Sequence, residues 1–118
     1  MRDSLVYKIC SRSAWQEAEH EGAYRGSADD ERDGFIHLST ASQLAGTAAK
    51  YFSAQLDLVL IAVEASALGE SLCYEPSRGG ELFPHLYADL PLNAVRWVKD
   101  LPWQDGAHRI PPLAEESI

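Results

Sequence analysis

Residues 5–10 of the chain follow a period of two. Leu5, Tyr7 and Ile9 fall on one side of this alternation, and Val6, Lys8 and Cys10 fall on the other. A period of two that is rich in aromatic and β-branched residues is typical of a strand that buries one face. The chain is therefore predicted to open with a β-strand, one face of which is well buried.

Two later segments carry the sequence signals of helix starts. Ser13 followed by Gln16 has the form of a capping box, and the apolar stripe behind it ends at Gly22, which suits a left-handed stop. Thr40 with Gln43 has the same form and precedes apolar residues at helical spacing. These patterns predict two short helices, with Thr40 as the N-cap of the second.

Between the two helices the chain is first polar and then apolar. The glycine-bracketed polar run at 23–34 predicts a surface loop, and the five residues after it predict a brief strand. In that strand Ile36 and Leu38 point to one face, while His37 and Ser39 share the other. The polar groups of this segment are thus expected to lie together.

The second half of the chain is mostly a series of short apolar segments. They predict strands at 58–64, 71–75, 83–87 and 95–99. Strands and helices do not alternate regularly enough for a doubly wound sheet. The predicted fold is therefore α+β, with a mixed or antiparallel sheet and two or three short helices. It occupies a single domain at 1–110, followed by a flexible tail at 111–118.

Composition narrows the classes of partner. Eighteen acidic and ten basic residues give a formal net charge of -8, and the basic residues are scattered, which argues against a nucleic-acid partner.

The longest apolar run, 58–63, is far below the roughly 20 residues of a membrane span. The charged N-terminus lacks a secretory signal, so a cytoplasmic location is expected. Cys10 and Cys73 are expected to be two buried thiols rather than a disulfide framework.

Histidine carries the most promising chemistry, because it titrates near neutrality. His37 lies two residues before Ser39, and His85 lies between Phe83 and Tyr87 in an aromatic segment. Each histidine is either a donor or general base in a site, or a strand histidine satisfied by a backbone carbonyl. Phe83 and Tyr87 are, in the same way, either ligand contacts or core aromatics. We expect the two segments to lie side by side at one edge of a cleft.

The remaining candidates are weaker signals. Thr40 suits an N-cap, and a capped helix start also offers free amides to an anion. Arg25 is placed in a loop where it would either bind a phosphate or be solvated. Glu81 is the acid nearest the second histidine, although such a residue is usually a surface charge. The sequence has no metal-ligand spacing and no Gly-x-Ser-x-Gly motif, so no metal site is expected.

Two segments together resemble a known family. The first motif, DGFIHLST at 33–40, and the second motif, FPHLY at 83–87, are joined by the starting Tyr7-Lys8-Ile9 and by the strand at 57–60. Over nearly the whole chain these residues resemble the bacterial family called domain of unknown function 952. That family is similar in fold to ADP-ribosyltransferases, which are α+β proteins that bind NAD in a cleft of a split β-sheet.

The resemblance implies a nucleotide-like ligand, with NAD as a substrate rather than a fixed cofactor. It implies that His37 contacts the ribose or nicotinamide side. From the residues and the resemblance together, the candidate catalytic residues are His37, His85 and Glu81. The candidate ligand-binding residues are Tyr7, Arg25, Ser39, Thr40, Phe83 and Tyr87. The stretches at 24–27 and 37–39 also look like parts of the RNA 2′-phosphotransferase branch of that superfamily, although Phe35 stands where that branch has an arginine.

Three functions remain open from the sequence. The leading hypothesis is an ADP-ribosyltransferase-like domain that binds NAD or a related nucleotide. The second is a non-enzymatic ligand-sensing or protein-interaction module that kept the cleft without the chemistry, as the phenylalanine at position 35 suggests. The third is a small hydrolase or isomerase that uses His37 and His85 as an acid and base pair.

Overall fold

The computed structural model describes residues 4–113, which form ten strands and three α-helices. The helices are α1 (Arg12–Glu21), α2 (Ala28–Asp33) and α3 (Leu44–Tyr51). The long strands are β1 (Leu5–Ser11), β4 (Leu58–Glu64), β5 (Leu72–Pro76), β6 (Leu82–Leu86) and β8 (Val95–Leu101). The two-residue strands are β2 (Ala23–Tyr24), β3 (Ile36–His37), β7 (Leu90–Pro91), β9 (Trp103–Gln104) and β10 (Ala107–His108). The predicted α+β class is confirmed, and the strand pairs are antiparallel.

A three-stranded sheet in the order β1-β4-β8 forms the centre of the molecule. Each face of this sheet is covered by its own apolar cluster. On one face Val6 of β1 packs in a cluster with Trp15 of α1. On the other face Leu5 of β1 packs in a cluster with Leu44 of α3. The prediction of one buried face for β1 is therefore wrong, because both faces are covered. Burial of a full side chain such as leucine contributes roughly 1.5–3 kcal/mol, so this double layer supplies much of the stability.

A second three-stranded sheet, in the order β3-β6-β5, carries both motifs. It joins the central sheet through reciprocal backbone hydrogen bonds between Tyr7 and Ser39, at 2.8 and 2.9 Å. Leu38 donates its backbone N–H to the carbonyl of Pro84 at 3.0 Å. The first motif is thus fixed between β1 on one side and the second motif on the other.

Local sequence signals predicted the ends of the first helix and the loop after it with mixed success. Helix α1 ends at Gly22 in the left-handed conformation, as predicted, but its N-cap is Ser11 rather than Ser13. The predicted loop at 23–34 instead contains β2 and helix α2. That helix begins after Ser27, whose side chain accepts a hydrogen bond from the backbone N–H of Asp30. A short polar helix without an apolar stripe resembles a loop in sequence, which explains the error.

The second predicted helix start is present in modified form. Gln43 Oε1 accepts a hydrogen bond from the backbone N–H of Thr40 at 3.0 Å, as a capping box requires. The first turn after Thr40 is a 3-10 turn at 41–43, and α3 follows directly. Thr40 therefore marks the start of this helical segment, as expected.

The remaining expectations concern the cysteines, the tail and the membrane. Cys10 is buried, whereas Cys73 is half-buried, and neither forms a disulfide. From the predicted tail, Leu113 packs against the apolar cluster that contains Leu44, and residues 114–118 lie outside the described part of the chain. Within residues 4–113 no helix has the length and apolar character needed to cross a membrane.

Candidate functional site

The two motif histidines are direct neighbours in the second sheet. His37 of β3 lies opposite His85 of β6 in the antiparallel register, and their ring centroids are 5.7 Å apart. Phe35 stacks on the His85 ring with a centroid distance of 4.0 Å, and it also contacts His37 at 4.6 Å. The prediction that the two motifs lie side by side is confirmed.

Both histidines line a cavity of about 260 Å³. Its walls come from β1, the two motifs, α2 and the end of α3, together with the turn that contains Arg78. The aromatic part of the lining consists of Tyr7, Tyr51, Phe52 and Phe83. The remaining lining includes several ionisable side chains, so the cavity combines rings with charge. That combination is typical of a ligand site.

A buried carboxylate, that of Asp30, organises the charged side of the cavity. Oδ2 accepts hydrogen bonds from Lys8 Nζ and from the backbone N–H of Ser27, both at 2.9 Å. Oδ1 accepts from the backbone N–H and the Nδ1 of His37, at 3.0 and 2.6 Å. Burial alone would raise the pKa of this carboxyl, but the hydrogen bond from His37 and the charge of Lys8 outweigh burial and hold the pKa far below its usual range.

His37 is held between two carboxylates. Its Nδ1 contacts Asp30 and its Nε2 lies 2.9 Å from Asp33 Oδ2, which belongs to the last turn of α2. A ring that is protonated on both nitrogens satisfies both carboxylates, whereas a neutral ring satisfies one. The side chain is 37% exposed, so a ligand in the cavity can reach it. The pKa of Asp33 is lowered mainly by its hydrogen bond from Arg32, and also by the nearby His37.

His85 is buried and oriented by a different acid. Its Nδ1 lies 2.7 Å from Glu75 Oε1, and the same oxygen accepts a hydrogen bond from the Tyr87 hydroxyl at 2.8 Å. These two bonds lower the pKa of Glu75, and the bond to Glu75 raises the pKa of Tyr87. A carboxylate on Nδ1 fixes that nitrogen as the donor and leaves Nε2 as the basic nitrogen.

The structure brings five of the sequence-predicted site residues together. The cavity lining includes Tyr7, His37, Ser39, Phe83 and His85. Ser39 is buried, and its hydroxyl lies 3.0 Å from that of Thr47 on α3. His37 and Ser39 thus both line the cavity, as the period-two alternation of the first motif predicts, and Ile36 and Leu38 belong to the apolar cluster that contains Val6, although Leu38 also borders the cavity.

The other four predicted site residues lie outside the cavity lining. Arg25 is exposed, with Asp89 as its nearest carboxylate at 3.8 Å. Glu81 is exposed, and the acid that contacts His85 is Glu75 instead. Thr40 begins the helical segment before α3. Tyr87 contacts site residues through its hydrogen bond to Glu75 and through its ring, which lies 5.3 Å from that of Phe35 between centroids.

The site residues that were missed from the sequence include Lys8, Asp30, Thr47, Glu75 and Arg78. A usable signal existed for Asp30, because an acid three residues after Ser27 has the form of a capping box. A second signal was Lys8, a charge within an otherwise apolar strand, which requires a buried partner. Nothing local marks Glu75 or Arg78, since their roles depend on contacts across the fold. Within residues 4–113, no three acidic, histidine or cysteine side chains are grouped to hold a metal ion.

Comparison with known proteins gives a consistent result. The model of the family described as "Protein of unknown function (DUF952)" matches residues 9–98. The crystal structure of protein CC0527 from Caulobacter crescentus is 51% identical with a TM-score of 0.86, over 89% of this chain and 93% of that one. The solution NMR structure of the same protein is 46% identical with a TM-score of 0.80, over 98% and 97% of the two chains. A search of the curated proteins finds no match.

Proposed function

The chain belongs to the family of unknown function DUF952, and from that membership and the site geometry we propose that its cavity binds a nucleotide, namely NAD or a related ADP-ribose compound. One observation carries the proposal. Both motifs supply histidines that meet at 5.7 Å in a single cavity lined by aromatic rings and charged groups. A nucleotide presents the complementary chemistry of a ring, hydroxyls and phosphate.

Each part of such a ligand has a chemical counterpart in the lining. The rings of Tyr51, Phe52 and Phe83 offer surfaces against which a base or a nicotinamide stacks. The carboxylate of Asp33 and the imidazole of His37 can hydrogen-bond to ribose hydroxyls. The resemblance of this family to ADP-ribosyltransferases, with the local likeness of 24–27 and 37–39 to one branch of that superfamily, supports the same class of ligand as an analogy.

A binding experiment tests the proposal. We expect NAD or ADP-ribose at about 100 times its dissociation constant to stabilise the protein by about 2.7 kcal/mol, measured as a rise in melting temperature. His37→Ala should abolish that rise. The substitution itself should cost about 1 kcal/mol or less, because Asp30 keeps its other donors.

The matched control is His20→Ala, which removes an exposed histidine on α1. This variant should keep the full response to the nucleotide, and its melting temperature should stay close to that of the wild type. Equal responses in the two variants, or no response of the wild type to either nucleotide, would contradict the proposal.

A specific arrangement favours a second function, hydrolysis of the bound nucleotide by the histidines. Glu75 fixes the tautomer of His85, as the acid does in an acid-histidine pair that activates a nucleophile. In this reaction His85 would take a proton from water while the oxygen bonds to the ribosyl carbon. The bond to nicotinamide would break, and its electron pair would leave with nicotinamide.

Release of nicotinamide from NAD separates this function from ligand sensing. If His85 is the base, the wild type should release nicotinamide, and Glu75→Gln should slow the release while NAD still binds. Binding of NAD without any release of nicotinamide would exclude this chemistry and leave the sensing module as the function.

A further inference from the structure

Arg78 differs from the other arginines of the described chain in its partners. Arg12, Arg25, Arg32, Arg96 and Arg109 each lie within 4.0 Å of a carboxylate. Among residues 4–113 no such ion pair involves Arg78, although the protein carries eighteen acidic residues. An arginine kept apart from acids in an acidic protein, and placed in the lining of a cavity, remains available to a ligand.

The other charges of the cavity are already paired with one another. Lys8 is bonded to Asp30, and Arg32 is bonded to Asp29 and Asp33. Among the cations that line the cavity, these carboxylates therefore leave the guanidinium of Arg78 without an ion-pair partner. An anionic group on the ligand would complete its hydrogen bonds.

Neighbouring side chains hold this guanidinium in place. It lies 4.9 Å from the ring centroid of Phe83 and 6.0 Å from that of Tyr51. Its Nη1 donates to the hydroxyl of Thr47 at 3.3 Å, and Thr47 is in turn bonded to the hydroxyl of Ser39. Two hydroxyls and a guanidinium thus form a row of hydrogen-bonding groups along one wall.

Gly46 is an independent feature of the chain that accommodates this position of Arg78. The residue lies inside α3 in an ordinary helical conformation, so its backbone does not need glycine. A Cβ at this position would lie 2.9 Å from Arg78 Nη2. Glycine within a helix is unfavourable relative to alanine, and here it makes room for the guanidinium.

We propose that Arg78, Thr47 and Ser39 form the phosphate subsite of this cavity. The proposal rests on the nucleotide-binding function above and assigns the diphosphate of the ligand to this wall. The planar guanidinium contacts two phosphate oxygens, and the hydroxyls contribute neutral hydrogen bonds.

Isothermal titration of the wild type and three variants with two ligands tests the subsite. ADP-ribose carries the diphosphate, and adenosine lacks it. Arg78→Gln should weaken ADP-ribose at least about tenfold, because a charge-assisted hydrogen bond is lost, and should leave adenosine within about twofold. Gly46→Ala should also weaken ADP-ribose without lowering the melting temperature, since it displaces the end of a flexible side chain. Arg25→Gln, at an exposed arginine outside the lining, should change neither ligand.

The outcomes separate the subsite from the function on which it rests. Unchanged affinity of Arg78→Gln for ADP-ribose, with the wild type binding both ligands, would overturn the subsite and leave nucleotide binding intact. If the wild type binds neither ligand, the proposed function fails. The subsite is then tested separately with inorganic pyrophosphate. At constant ionic strength, pyrophosphate should shift the backbone amide signals of Thr47 and Arg78 saturably in the wild type. In Arg78→Gln it should cause no such shift. Absence of the shift in the wild type would overturn the subsite as well.

Discussion

Four donors converge on the carboxylate of Asp30: the Lys8 ammonium, the backbone N–H of Ser27, and the backbone N–H and imidazole of His37. This single buried side chain therefore ties β1, the start of α2 and the first motif together. Its charge also balances that of Lys8, which is itself buried within the strand. At the scale of single residues, Asp30 positions His37 for any ligand in the cavity.

Replacement of Asp30 should be strongly destabilising. Asp30→Asn leaves the Lys8 ammonium buried without a countercharge and should cost about 3–5 kcal/mol in the free energy of unfolding, measured by urea titration. The matched control is Asp29→Asn, which removes an exposed ion pair with Arg32 and should cost about 0–1 kcal/mol. Equal costs for these adjacent aspartates would refute the role of Asp30.

The same residue predicts a dependence of stability on pH. The pKa of Asp30 is lowered in the folded protein, so its contribution is complete above the unfolded carboxyl pKa of about 3.9 and is lost as the pH falls towards the lower folded value. The difference in unfolding free energy between the wild type and Asp30→Asn should therefore shrink below about pH 4. Urea titrations at pH 7, 4 and 3 check this, and a difference that stays constant would contradict it.

Individual elements show which sequence signals were sufficient. Strand β4 has the predicted bounds, because a continuous β-branched and aliphatic run suits a strand buried on both faces. Helix α2 was missed because its six residues have no apolar period, and Asp30 is their one buried member. The cap of α1 was placed at Ser13 because Gln16, three residues later, completes the capping-box pattern there, whereas the observed N-cap, Ser11, is followed at that distance by Ala14.

The two serines before α1 provide a direct test of that correction. Ser11 Oγ accepts a hydrogen bond from the backbone N–H of Ala14 at 3.1 Å, whereas Ser13 is exposed. Ser11→Ala should therefore cost about 1 kcal/mol, and Ser13→Ala should stay within about 0.5 kcal/mol. Thermal or urea unfolding measures both, and a larger loss for Ser13→Ala would restore the sequence-based assignment.

For the whole molecule, the sequence could supply the composition of the site and only part of its geometry. The alternation in 35–39 placed His37 and Ser39 on one face, but their meeting with His85 depends on the pairing of β3 with β6, which are separated by more than 40 positions. The same holds for Arg78, which reaches Thr47 across 31 positions. Long-range pairing is decided by the complete core, so local patterns did not identify Glu75 or Arg78.

Because Cys10 is buried and Cys73 is half-buried, the two thiols should differ in reactivity. Burial raises the pKa of Cys10 to about 11, so its thiol stays protonated in the folded protein at pH 8. Because the unfolded thiol titrates first, the contribution of Cys10 to stability falls as the pH rises above about 8.5. In a Cys73→Ser variant, a thiol-reactive disulfide reagent should label Cys10 only as fast as the protein unfolds. In Cys10→Ser, the half-buried Cys73 should react faster, and the reverse order would contradict the packing described.

The most direct test of the central claim is a titration of the ¹⁵N-labelled protein with ADP-ribose, followed through backbone amide chemical shifts. Nucleotide binding in the cavity predicts saturable shifts at His37, Ser39, Thr47, Arg78 and His85. Amides on the far side of the central sheet, such as those of α1, should stay unchanged. Absence of saturable shifts, or shifts confined to residues outside the cavity lining, would contradict the assignment of this cavity as a nucleotide site.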